Sequence, residues 1–189
     1  MKVGLYFGSF NPIHIGHLAI ANYMVEYSDM DKLWFVVSPQ NPFKEKRSLL
    51  AEHHRLSLVE IAIEDDLRFK ASNIEFHLPQ PSYTIDTLVY LEEKYPDITF
   101  VLIMGEDNLK GLHKWKNYER ILEKYPIYVY PRDYKTIGKK EYDNITVVDA
   151  PLMEVSSSFI RKAIKVKKDV SYFMHFKVAE YIKEMHFYE

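Results

Sequence analysis

The chain has 189 residues, 47% of them hydrophobic, which is material for one sizeable core and too little for two, so a single domain over residues 1–189 is expected. Twenty-five basic residues against 27 acidic ones leave a formal net charge of -2, which excludes the global positive field that draws a protein to nucleic acid or to an anionic membrane; phosphate binding has to be local. The absence of cysteine excludes disulfides, thiolate metal sites and a cysteine nucleophile together, and fits a reducing, cytoplasmic setting.

Lys2 to Phe7 is a short apolar run closed by Gly8, followed by Asn11-Pro12 and then by Ile15, Leu18, Ala19, Met24 and Val25 at helical spacing. That order predicts strand, loop, helix. Leu33 to Val37 repeats the buried-strand pattern and stops at Ser38-Pro39, and Ala51 to Ile63 is helical. Thr84 to Tyr95 reads as a helix capped by Thr84 and halted by Pro96. Thr99 to Met104 is a strand running into Gly105. A helix from Asn117 to Lys124 and strands from Ile127 to Tyr130 and Ile145 to Val148 follow, with helices near Ser158 to Val166 and Tyr172 to Met185. Asp133 to Asp143, rich in lysine and tyrosine, is expected to be an exposed loop. Alternating strands and helices predict an α/β fold, a Rossmann-like parallel sheet with helices on both faces and ligands beyond the carboxyl ends of the strands. The N-terminus carries no signal core and no stretch approaches membrane-spanning length, so a soluble, unprocessed chain is expected.

Three of the six glycines, Gly4, Gly8 and Gly16, fall in the first sixteen residues, around the first strand-to-helix turn. Gly8 lets the backbone pass close to a ligand, and the following helix offers unpaired N–H groups and the positive end of its dipole to an anion. His14 and His17 share a face if the helix has begun by His14, with Gly16 between them leaving room for a nucleotide. The spacing matches neither the three-glycine dinucleotide fingerprint nor the Walker loop. Near the other end, Val155-Ser156-Ser157-Ser158-Phe159-Ile160-Arg161 is a serine-capped helix start whose Arg161, three residues into the run, is able to turn back and grip phosphate in forked geometry.

The segment GSFNPIHIGH, residues 8–17, resembles the phosphate-binding signature of the HxGH nucleotidyltransferase superfamily, and VSSSFIR resembles that family's second motif, ISSTxIR. His-Ile-Gly-His also spells a signature of class I aminoacyl-tRNA synthetases, but no lysine-rich KMSKS-like loop accompanies it. Asn11 and the segment PSYTIDTL, residues 81–88, are similar to the nicotinate-mononucleotide adenylyltransferase branch. The resemblance implies ATP on Gly8, Ser9, Phe10, Gly16, Gly105, Asp107, Ser156, Ser157 and Ser158, and catalysis by His14, His17 and Arg161. It implies acceptor contacts from Lys44, in the element Pro39 to Lys44, and from Tyr83, Thr84, Trp115 and Arg132; Trp115 would stack on the nicotinate ring, whereas Trp34 is read as core.

The activity so implied is adenylyl transfer from ATP, with Mg2+, to nicotinate mononucleotide, giving nicotinate adenine dinucleotide and pyrophosphate. No protein metal site, nucleic acid or membrane partner is expected, and a homo-oligomer is admitted. A pantetheine-phosphate or nicotinamide-mononucleotide adenylyltransferase and a non-catalytic nucleotide sensor are the rival readings.

Overall fold

The computed structural model describes residues 1–39, 49–132 and 143–189. The expected element from Pro39 to Lys44 lies outside these beyond its first residue, as does the 133–143 loop apart from Asp143. Among the described residues six parallel strands form one sheet: β1 (Lys2–Gly8), β2 (Lys32–Val37), β3 (Phe69–Ser72), β4 (Thr99–Gly105), β5 (Ile127–Tyr130) and β6 (Ile145–Val147), in the order β3-β2-β1-β4-β5-β6. The helices are α1 (Ile15–Tyr27), α2 (Glu52–Ile63), α3 (Thr84–Lys94), α4 (Glu106–Lys110), α5 (Tyr118–Lys124), α6 (Ser157–Lys165) and α7 (Phe176–Glu184).

The alternation of side chains along each strand sorts the core into two layers. Tyr6, Leu33, Phe35, Val37, Val101 and Ile103 face one side, under Ile20 and Met24 of α1, Leu58 and Val59 of α2, Ile160 of α6 and Val178 of α7. Val3, Leu5, Trp34, Val36, Leu102 and Met104 face the other, under Leu88 and Leu91 of α3 and Ile121 of α5. A sheet covered on both faces needs apolar residues at consecutive positions, which is why β1, β2 and β4 read as unbroken hydrophobic runs. Trp34 is core as expected, with the Lys70 ammonium 4.2 Å from its ring centroid.

The strand order reverses direction at β1 and β4, so the crossovers leaving these neighbours go to opposite sides and open a crevice at their carboxyl ends. Their register, Lys2 opposite Thr99 to Tyr6 opposite Ile103, brings Gly8 and Gly105 to the same rim.

Helix starts differ from expectation in places. The last helix begins at Phe176, after a separate 3-10 turn Ser171–Phe173, and not at Tyr172. Thr84 is not the cap of α3: Tyr83, extended at φ -117° and ψ 141°, holds that place, and its carbonyl takes the N–H groups of Asp86 and Thr87 at 3.0 and 3.2 Å. Likewise α1 has not begun at His14, which is its extended cap residue. β3 and α4 were not foreseen; β3 is four residues at the sheet edge with only Ser72 buried, and α4 is five, both too short to show a period.

Candidate active site

Beyond the strand ends lies a cleft of about 880 Å³ lined by residues from the β1–α1 turn, the start of α3, the end of β4, the β5 tip and the start of α6. His14, His17, Arg161, Gly8, Ser9, Phe10, Gly16, Gly105, Asp107, Ser156, Ser157, Ser158, Tyr83, Thr84, Trp115 and Arg132 all line it. Lys44 lies outside the described residues.

The β1–α1 turn is fixed from within. Phe10 adopts a left-handed φ of 44° and is buried, its ring edge-on to Tyr6, His17 and Phe35. The reason for glycine at position 8 follows: a Cβ there would meet the Phe10 ring at 2.8 Å. Gly16 has a similar reason, since its Cβ would stand 3.1 Å from Cε1 and Nδ1 of His14. The space it spares is thus occupied by the His14 ring.

The two imidazoles are stacked, centroids 3.7 Å apart and planes 27° from parallel. The His14 N–H donates to His17 Nδ1 at 3.3 Å, so a neutral His17 carries its proton on Nε2. In His14, Nδ1 is buried, leaving Nε2 as the nitrogen able to face the cleft. Burial, aided by the positive charge of Arg132, lowers the His14 pKa from 6.5 to about 4. At neutral pH His14 is therefore an uncharged ring, and a hydrogen-bond donor if its proton also sits on Nε2.

α6 brings the C-terminal motif to the same wall. Ser156 caps it, accepting the Phe159 N–H at 3.2 Å, and Ser157 Oγ donates to the Pro12 carbonyl at 2.9 Å. Arg161 donates to the Asn11 carbonyl at 2.8 Å and approaches Ser158 Oγ at 3.4 Å. The amino ends of α1 and α6 thus flank one space, where unpaired N–H groups and two dipoles favour an anion. The Asn11 side chain is held too, its Oδ1 accepting from Tyr188 O–H at 2.8 Å and from the Leu50 N–H at 3.2 Å.

The far end is assembled from shorter pieces. Trp115, half-buried, follows a single 3-10 turn, Leu112–Lys114, and packs against the core side that holds Leu88 and Met104. The Lys116 ammonium lies 4.8 Å from the Tyr83 ring centroid and 2.8 Å from the Asp86 carboxylate. Arg132 lies over the Tyr130 ring, 5.2 Å from its centroid, with Nη2 3.3 Å from the Tyr130 hydroxyl and Nε 3.9 Å from the Asp107 carboxylate. Tyr130 in turn shares a buried hydrogen bond of 3.0 Å with Tyr6. A Cβ on Gly105 would press on this stack, 3.0 Å from Arg132 Nε.

Arg55, Ser38, Glu75, Tyr6, Tyr130 and Tyr188 support the cleft without belonging to any motif. Arg55 alone had a visible signal: it shares the α2 stripe with Leu58, Val59 and Ile63, a cation where the period calls for an apolar residue.

A family model described as cytidylyltransferase-like matches residues 5–163. The chain is 54% identical over 192 residues to a probable nicotinate-nucleotide adenylyltransferase of Flavobacterium johnsoniae, covering all of both chains. It is 51% identical to one of Cytophaga hutchinsonii, covering 100% of this chain and 98% of that protein. Among solved structures it is similar to a Plasmodium falciparum nicotinic acid mononucleotide adenylyltransferase complexed with NaAD. The TM-score is 0.85, with coverage of 99% and 97% and an identity of 21%, a likeness of fold.

Proposed function

The chain belongs to the cytidylyltransferase-like family, and from that premise we propose that it is a nicotinate-nucleotide adenylyltransferase, an enzyme of NAD biosynthesis. It joins the AMP part of ATP to nicotinate mononucleotide, giving nicotinate adenine dinucleotide and pyrophosphate. The observation that carries the reading is the meeting of His14, His17, Arg161 and two helix amino ends on one wall of a cleft whose other end holds Tyr83, Thr84 and Trp115. Identity above 50% to full-length relatives of that name supports it.

The acceptor phosphate is already an anion, so no covalent nucleophile is required. One of its oxygens attacks the α-phosphorus of ATP in line; the new P–O bond forms as the bond to the β-phosphate bridging oxygen breaks, and pyrophosphate leaves with the electron pair. Catalysis is positioning and charge stabilisation by groups already in place. His14 and His17 donate to the transferring and leaving phosphates, Arg161 offers the N–H groups not spent on Asn11, and Ser156 to Ser158 and Gly8 to Phe10 border the nucleotide, with Gly105 and Asp107 on the opposite rim. Adenylyl transfer from ATP needs a divalent metal, here assigned as Mg2+. In this reading the ion enters on the triphosphate, as part of the substrate.

Trp115 and Tyr83 receive the pyridine ring, the N–H groups at the start of α3 receive its carboxylate, and Lys44 and Arg132 receive acceptor phosphate. We place the enzyme in the cytoplasm as one domain; no described helix is long and apolar enough to cross a membrane. The test is pyrophosphate release from MgATP with nicotinate mononucleotide, nicotinamide mononucleotide or phosphopantetheine in parallel. The first is expected to give the highest kcat/KM, and a win for either other substrate rejects the assignment.

A further inference from the structure

Two ionisable side chains of opposite sign are buried beneath the cleft, and neither belongs to a motif. Arg55, fully buried, uses four of its five N–H groups on main-chain carbonyls: Leu50 at 2.8 Å, Ser9 at 2.7 Å, Ser38 at 2.7 Å and Pro39 at 2.9 Å. It thereby ties the turn after β1 to the end of β2. Glu75, 3% exposed in the 3-10 turn Ile74–His77, accepts the Thr87 hydroxyl at 2.9 Å and also the hydroxyls of Ser38 and Ser82. Burial holds its pKa above the ordinary carboxylate value, and these three hydroxyls offset only part of the rise.

Ser38 is the joint, its carbonyl on Arg55 and its hydroxyl on Glu75. A continuous hydrogen-bonded line thus runs from Ser9 through Arg55, Ser38 and Glu75 to Ser82 and Thr87, which flank Tyr83 and Thr84. Ser9, Ser38, Glu75 and Ser82 all line the cleft. Stripping a buried charge of its partners is strongly destabilising, because it leaves the charge uncompensated. The line gives a displacement of Ser9 a bonded path to Ser82 and Thr87.

We propose that Arg55, Ser38 and Glu75 are positioning residues that couple occupancy of the donor end to affinity at the acceptor end, so that the nucleotide triphosphate prepares the start of α3 for the pyridine mononucleotide. The inference rests on the adenylyl-transfer reading above. Arg55 and Glu75 touch neither substrate in this scheme; they act through Ser9 and Ser38 and through Ser82 and Thr87.

The experiment is calorimetric titration of nicotinate mononucleotide into the full chain, with and without saturating α,β-methylene-ATP and Mg2+. The wild-type protein is expected to bind the mononucleotide at least about fivefold more tightly when the analogue is present. Ser38→Ala and Glu75→Gln reduce that ratio below about twofold while the analogue's own Kd holds, and Ser38→Thr restores it. Additive binding in the wild type, or an unchanged ratio in both variants, overturns the proposal. So does an equal loss in Ser38→Ala with and without the analogue, which would make Ser38 a plain ligand contact. If Glu75→Gln does not fold, Ser38→Ala and Ser38→Thr decide alone. A wild-type protein that turns over yet binds additively sinks only the coupling, whereas one that releases no pyrophosphate sinks the reading beneath it.

Discussion

The two ends of the cleft are built in different ways. The end proposed to hold the donor is made mostly of backbone: the amino ends of two helices of 13 and 9 residues, a turn wedged by Phe10, and side chains whose partners are main-chain atoms, Ser157 on Pro12 and Arg161 on Asn11. The end proposed for the acceptor is made of side chains on short pieces, with Trp115 after a single turn, Arg132 at a strand tip and Tyr83 as a bare cap. Groups fixed by backbone suit a triphosphate that many enzymes share. Groups carried on short elements suit the task of choosing among acceptors, because they are replaced one at a time without disturbing the sheet.

The sharpest way to break this contrast is His17→Ala. If the donor end supplies the transition-state stabilisation, kcat/KM falls by about 100- to 1000-fold, as when one preorganised donor is removed, while the melting temperature barely moves. Pyrophosphate release and a thermal melt check both halves. Near-normal turnover would take the histidines out of the mechanism.

Trp115→Ala probes the other end. It is expected to raise KM for nicotinate mononucleotide about tenfold, the scale of a desolvated cation–π contact, and to leave KM for ATP unchanged. Equal effects on both substrates would erase the division into two ends.

His14 gives a smaller effect, read through pH. Its pKa is about 4 in the folded protein against 6.5 for an unperturbed ring, so the unfolded chain binds the proton first. The stability linked to this residue is present above pH 6.5 and is lost as pH falls from 6.5 toward 4, amounting to about 2 kcal/mol by pH 5. Denaturant unfolding of His14→Asn should therefore show a loss between pH 7 and pH 5 smaller than the wild type's by about that amount. An equal loss would mean the ring is already charged when folded. The smallest effect is expected from Gly16→Ala: alanine favours the helix by up to about 1 kcal/mol, while its methyl crowds the His14 ring, so stability holds or rises as kcat falls severalfold.

The same contrast governs what was legible in the sequence. Strands buried on both faces are apolar runs, which makes β1, β2, β4 and β5 legible near their true bounds; β6, with only Ile145 buried, is legible from its β-branched residues Ile145, Thr146 and Val147, whereas β3, Phe-Lys-Ala-Ser with only Ser72 buried, offers neither signal. The donor end was legible because a helix amino end, its cap and the residues one turn inside it are contiguous in sequence. Tyr83 was passed over as a cap because its role is a matter of backbone angle, and hydroxyl preference pointed to Thr84 instead. The partners of the buried supports were invisible for another reason: Arg55 stands out on its helix, but it meets Ser9 across 46 residues and Tyr6 meets Tyr130 across 124, and no local pattern announces such pairings.

Tyr188 reaches across 177 positions to steady Asn11, so the phosphate turn, coded within the first seventeen residues, gets one of its braces from nearly the last. Until Tyr188 is made, the turn has the Phe10 wedge and the Leu50 N–H to hold it, but not this hydroxyl. A growing chain that stops short of Tyr188 would hold the turn less firmly, and its grip on a nucleotide is expected to tighten once that residue docks.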